Sequence, residues 1–133
     1  MIRFLTLLLL GLSWQTVSAI EVVIQQTSVK SRDVDVPVDI AMPAGKGPFP
    51  PVLFIHAKRG IDENERKHIT ELVEQGFMVV MPDWQSGRMI ERWPSEHNPE
   101  TELDVEAAMD FLIKHPKACK IPIGIVGQSR GPY

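Results

Sequence analysis

The stretch Ile121-Pro122-Ile123-Gly124-Ile125-Val126-Gly127-Gln128-Ser129-Arg130-Gly131 joins an apolar, β-branched run to a G-x-S-x-G pentapeptide. The run reads as a buried strand. The pentapeptide reads as a sharp turn that lifts a serine above the end of such a strand, just before a helix starts. Glycines at 127 and 131 remove the Cβ atoms that would collide where the backbone folds back around a strained residue. Pro132 is compatible with the first turn of that helix, where the missing N–H would have no partner. Ser129 is therefore the candidate nucleophile.

Upstream, the same alternation of buried strands and amphipathic helices recurs. Leu103, Ala107, Ala108, Phe111 and Leu112 repeat at helical spacing up to Pro116, and Thr101 with Asp104 has the spacing of a capping box. Before that helix, Asp83 to Pro99 form a long polar excursion in which Trp84, Trp93 and His97 suit either a cleft wall or ordinary packing of a loop. Phe77 to Met81 reads as a strand closed by Pro82. Asp62 and Glu65 form a second capping-box spacing, ahead of an apolar stripe of Ile61, Ile69, Leu72 and Val73 that ends at Gly76.

Val52-Leu53-Phe54-Ile55 is continuously apolar, as a strand covered on both faces must be. Val34 to Met42 instead alternates, and Pro37 within it predicts an edge position, because proline cannot donate to a ladder. Glu21 to Thr27 reads as a further strand. Two antiparallel-type strands followed by β-α-β-α-β predict an α/β domain with a mostly parallel sheet flanked by helices. Ligands of such sheets bind beyond the carboxyl ends of the strands, where both His56 and Ser129 fall.

The first residues stand apart. Arg3, the apolar stretch Phe4 to Leu12 and the close Val17-Ser18-Ala19 have the three parts of a secretory signal peptide. The stretch is well short of the ~20 residues of a membrane-crossing helix. Residues 1–19 are read as a leader and 20–133 as the N-terminal part of one domain, exported to the periplasm or secreted. The 133 residues are 44% hydrophobic and 23% charged, a globular composition. Removing Arg3 with the leader shifts the net charge from -3 to -4. No basic face interleaved with aromatics is present, so nucleic acid is not an expected partner; a small uncharged or mildly polar molecule is. Cys119 is the only cysteine and is expected to be a buried small hydrophobe. No CxxC, HExxH or paired-histidine spacing predicts a metal, and no cofactor is expected.

Three pieces carry a family resemblance: Gly47-Pro-Phe-Pro-Pro-Val-Leu-Phe-Ile-His56 leading into Gly60, Gly76-Phe-Met-Val-Val-Met-Pro-Asp83, and Gly127-Gln-Ser-Arg-Gly131. In order and spacing they resemble the N-terminal half of an α/β-hydrolase of the dienelactone hydrolase-like group. The resemblance implies the α/β-hydrolase fold, truncated after the nucleophile elbow, with Ser129 as nucleophile and Gly127 and Gly131 as the elbow glycines. It implies an oxyanion hole made by the backbone N–H groups of Lys58 and Arg130, and a structural role for His56. Ser129 and Ala57 stand where dienelactone hydrolases proper carry a cysteine nucleophile and a glutamate, and His56-Ala57 replaces the usual His-Gly.

The resulting expectation is a serine esterase working through an acyl-enzyme on a small-molecule ester, with its acid and base outside these 133 residues, which alone would be inactive or nearly so. A non-catalytic truncated relative, or an acyltransferase or peptidase on the same scaffold, remains open. Ile121 to Val126 would then form an exposed apolar edge through which the chain could self-associate.

Overall fold

The structure is a computed structural model that describes residues 18–129. The leader expected over residues 1–19 lies outside these except for its last two residues, as do Arg130 and Gly131. Five strands, β1 (Val22–Ser31), β2 (Val34–Pro43), β3 (Pro51–Ile55), β4 (Met78–Pro82) and β5 (Gly124–Gly127), form one sheet in the order β1-β2-β4-β3-β5. Helix α1 (Glu63–Glu74) links β3 to β4, and α2 (Glu100–Lys114) lies between β4 and β5. The β3–β4 and β3–β5 ladders are parallel, whereas β1–β2 and β2–β4 are antiparallel. Among the described residues the sheet is thus evenly mixed rather than mostly parallel, because the two N-terminal strands form a hairpin whose second member docks on β4.

Residue alternation sorts the core into two layers. Leu53 and Val80 join Val36, Val38, Ile40 and Met42 of β2 beneath Ala108 and Leu112 of α2. Val52, Phe54, Val79 and Met81 point the other way, onto Ile69 and Val73 of α1. With a helix on each face, neither parity of β3 or β4 can be polar, which is why both runs are continuously apolar. The β2 strand alternates because its second face carries Asp39, which accepts bonds from Gln26 Nε2 (2.9 Å) and Arg66 Nη1 (2.8 Å).

Four local expectations are corrected. The strand β2 is internal and β1 is at the edge. Pro37 is tolerated because its missing donor faces β4 beyond the end of their ladder, which covers Val38 to Ala41; there its carbonyl instead accepts Asp83 N–H at 2.8 Å. Thr101 and Asp104 form no capping box: both lie within α2, whose first turn is closed by the Asn98 side chain accepting Glu100 N–H at 3.0 Å. Asp104 is drawn away by Arg88, which donates to both its oxygens at 2.7 and 2.8 Å with Asp104 fully buried. Residues 121–126 are not a buried strand throughout; β5 starts only at Gly124, and its four residues are exposed, because the two helices lie over β1 to β4. Cys119 is half-buried rather than buried, and free.

By contrast, the Asp62–Glu65 spacing does cap α1. Asp62 accepts Asn64 N–H at 2.7 Å, and Glu65 reaches back to Asp62 N–H at 3.3 Å. Gly76 follows the helix at φ +95°, a conformation that costs an L side chain about 1 kcal/mol or more.

Candidate active site

Ser129 follows β5 with φ +57°, in the left-handed region that a residue with a Cβ seldom occupies. The preceding residue explains how this is held. Gln128 N–H donates to Ile55 O at 3.0 Å, extending the β3–β5 ladder one bond beyond the Ile55–Gly127 pair. The sheet therefore fixes the backbone up to the serine. Ser129 itself is exposed.

Because β3 and β5 are parallel neighbours in register at Ile55 and Gly127, the segments after them leave the sheet side by side. The segment after β3 carries Lys58. It is a turn closed by Gly60 N–H on Ala57 O (3.0 Å), with Gly60 at φ +87°. Arg59 ties this turn to α1, through Asp62 (3.0 Å) and an ion pair with buried Glu65 (2.7 Å). The Lys58 carbonyl accepts two bonds from the excursion after β4, from Gln85 Nε2 and from Trp93 N–H, both at 2.8 Å. Its ammonium lies 5.7 Å from the centre of the Trp93 ring. The candidate oxyanion amide of Lys58 is thus on a turn braced from three directions; its partner Arg130 lies outside the described residues.

His56 begins that turn and is wholly buried. Its Nδ1 is 2.8 Å from Ala57 O, so that nitrogen carries the proton and donates. Its Nε2 has no hydrogen-bond partner and is 3.7 Å from Asp83 Oδ1, and Trp84 stacks on the ring with centroids 5.0 Å apart and planes 9° apart. Burial pushes the imidazole pKa below its usual value, opposed by the Ala57 carbonyl and the Asp83 charge. The ring is thus enclosed between its own turn and Trp84. Trp84 Nε1 in turn donates to His56 O at 3.3 Å.

A cleft of about 710 Å³ opens beyond the carboxyl ends of β3 and β4, between the excursion and the first half of α2. Ile55, Lys58, Trp84 and His97 line it, so two of the three excursion residues singled out in the sequence reach it. Trp93 instead stands 63% exposed at φ +59°. Of the other histidines, His68 is a half-exposed residue of α1 and His115 forms the C-cap of α2. Sequence reasoning missed Gln85, only 3% exposed, and the Arg88–Asp104 pair. The one available signal was the density of polar residues in a segment too long for a simple connection.

A model of the dienelactone hydrolase family matches residues 36–129. The chain belongs to the dienelactone hydrolase family. No curated protein matches it. Among solved structures, it is similar to a protein from Klebsiella pneumoniae subsp. pneumoniae assigned as a dienelactone hydrolase (20% identity, 84% of this chain and 51% of that one, TM-score 0.66). It is similar to the dienelactone hydrolase-like promiscuous phosphotriesterase P91 from metagenomic libraries (17%, 86% and 51%, 0.69). It is also similar to an esterase from Rhizomucor miehei (18%, 86% and 37%, 0.67). These likenesses establish the α/β-hydrolase fold. The chain spans about half the length of the first two and less of the third. The matched residues take in most of β2, all of β3, β4 and β5, and the turn after β3, and they end at Ser129.

Proposed function

We propose that the protein is a serine hydrolase of carboxylic esters and that these 133 residues carry its nucleophile, Ser129, and the two donors of its oxyanion hole, the N–H groups of Lys58 and Arg130. The observation that carries this reading is Ser129 at φ +57° on the end of β5, since a strained, exposed serine directly beyond a parallel strand is what an acyl-transfer nucleophile requires. In the first step Ser129 Oγ attacks the ester carbonyl carbon and loses its proton to a base. The N–H groups of Lys58 and Arg130 hold the resulting oxyanion, an effect worth about 3 kcal/mol per donor in such sites. Collapse expels the alcohol, which leaves with the proton, and water then releases the acid from the acyl-enzyme in the same way. The base and its orienting acid belong to a part of the protein corresponding to the half of the relatives that this chain does not cover. Without them the 133 residues alone would retain on the order of 10³-fold catalysis over water at most.

Intact mass of the protein from its native source, with and without a fluorophosphonate probe, tests the reading. One adduct on Ser129, absent after Ser129→Ala, is expected. Absence of an adduct on a protein that carries further sequence would refute it.

A further inference from the structure

We propose that the cleft beyond β3 and β4 receives the part of the substrate remote from the scissile bond, and that it favours a positively charged group there over a carboxylate. This rests on the hydrolase reading of Ser129, whose turn it adjoins through one residue. Ile55 lines the cleft, and its carbonyl accepts the Gln128 N–H beside Ser129. A substrate whose carbonyl reaches Ser129 therefore has the cleft beside it.

The volume, about 710 Å³, suits a small molecule. Ile55, Trp84, Ile90 and Val105 give it apolar walls. Glu96, Glu102 and Glu106 add three carboxylates, the last two from successive turns of α2. Two basic side chains also line it, Lys58, whose ammonium lies 5.7 Å from the centre of the Trp93 ring, and His97, 3.1 Å from Glu102, so the three carboxylates outnumber the one fixed positive charge. Among the described residues no arginine lines it. An entering carboxylate would lose hydration and face like charges without a free donor fork. A quaternary ammonium would meet an aromatic side chain and three opposite charges, both of which attract it. The three glutamates are exposed, so the preference must weaken with salt.

The test compares butyltrimethylammonium with hexanoate by calorimetry on the whole protein, alongside chromogenic esters matched in length with cationic, neutral and anionic acyl groups. We expect the cation to bind at least about tenfold more tightly than the anion in low salt, and the two to approach parity at about 1 M salt. The ester rates should rank cationic, neutral, anionic. Combined Glu96→Gln, Glu102→Gln and Glu106→Gln should remove the ranking, bringing the rates of the cationic and anionic esters within about twofold of each other. Equal or tighter binding of hexanoate, or a ranking that survives the triple substitution, would overturn the proposal. Cation-selective binding by a protein that cleaves no ester and takes no phosphonate would instead refute the hydrolase reading while upholding the charge preference of the cleft.

Discussion

The carbonyl of Ile55 accepts the N–H of Gln128 at 3.0 Å, so the residue before the candidate nucleophile is fastened to the neighbouring strand. The left-handed conformation of Ser129 costs on the order of 1–3 kcal/mol and persists only where the surroundings over-determine it. This bond, with the register that sets Ile55 opposite Gly127, supplies the constraint.

Ser129→Ala keeps the turn and removes only the hydroxyl. In the whole protein it should lower ester kcat by about 10⁵ to 10⁶ with KM little changed. Steady-state kinetics on a chromogenic ester checks this; a loss below tenfold would mean that the serine is not the nucleophile.

Arg88 donates to both oxygens of Asp104, which is fully buried, and also contacts Glu100. Arg88→Met would leave a buried, uncompensated carboxylate and should destabilise the protein by about 3–5 kcal/mol, seen as a lower urea midpoint. The double variant Arg88→Met, Asp104→Leu should recover most of that loss. If it does not, the pair matters for something other than charge neutralisation.

For His56 the sign of the pH effect follows from burial. Its pKa is lower folded than unfolded, so its contribution is fully present at neutral pH and is lost on acidification. Below about pH 6.5 the unfolded imidazole takes a proton that the buried one resists, removing up to about 1.4 kcal/mol per pH unit until the folded ring also protonates. Denaturation midpoints at pH 7 and pH 5 should differ more in the parent than in His56→Gln. His115, also lowered by burial and by Lys117 and Lys120, contributes a sensitivity of the same sign.

Much of this architecture could be read from local sequence. The run Val52 to Ile55 announced a doubly covered strand because both parities are apolar, and Asp62 with Glu65 announced the start of α1 because a cap involves neighbours only. The same spacing at Thr101 and Asp104 misled, since the nearby Arg88 bound the carboxylate that would have closed the box. Pro37 misled for a related reason: whether a missing donor matters depends on where the partner strand stops. In the site, Ser129 was legible from a contiguous motif and Lys58 only through resemblance. The bracing of Lys58 by Gln85 and the stacking of Trp84 on His56 were not legible, because each joins segments that meet only once β3 and β4 are paired.

The strand β5 leaves Ile125 58% and Val126 38% exposed, and among the described residues only β3 pairs with it. Residues 20–133 produced on their own are expected to self-associate through this edge. Ile125→Lys should shift the material towards monomer in sedimentation velocity, whereas an already monomeric, cooperatively melting parent would contradict the idea.

The spatial order β1-β2-β4-β3-β5 also has a consequence in time. The hairpin, α1 and β4 precede β5 in the chain, and α2 must be drawn in before Gln128 can reach Ile55. Contacts of such long separation close late, and synthesis runs from the other end. A nascent chain can therefore hold four paired strands while the serine is still part of an unshaped tail. Among the described residues, the turn that carries it is expected to be the last piece to acquire its form.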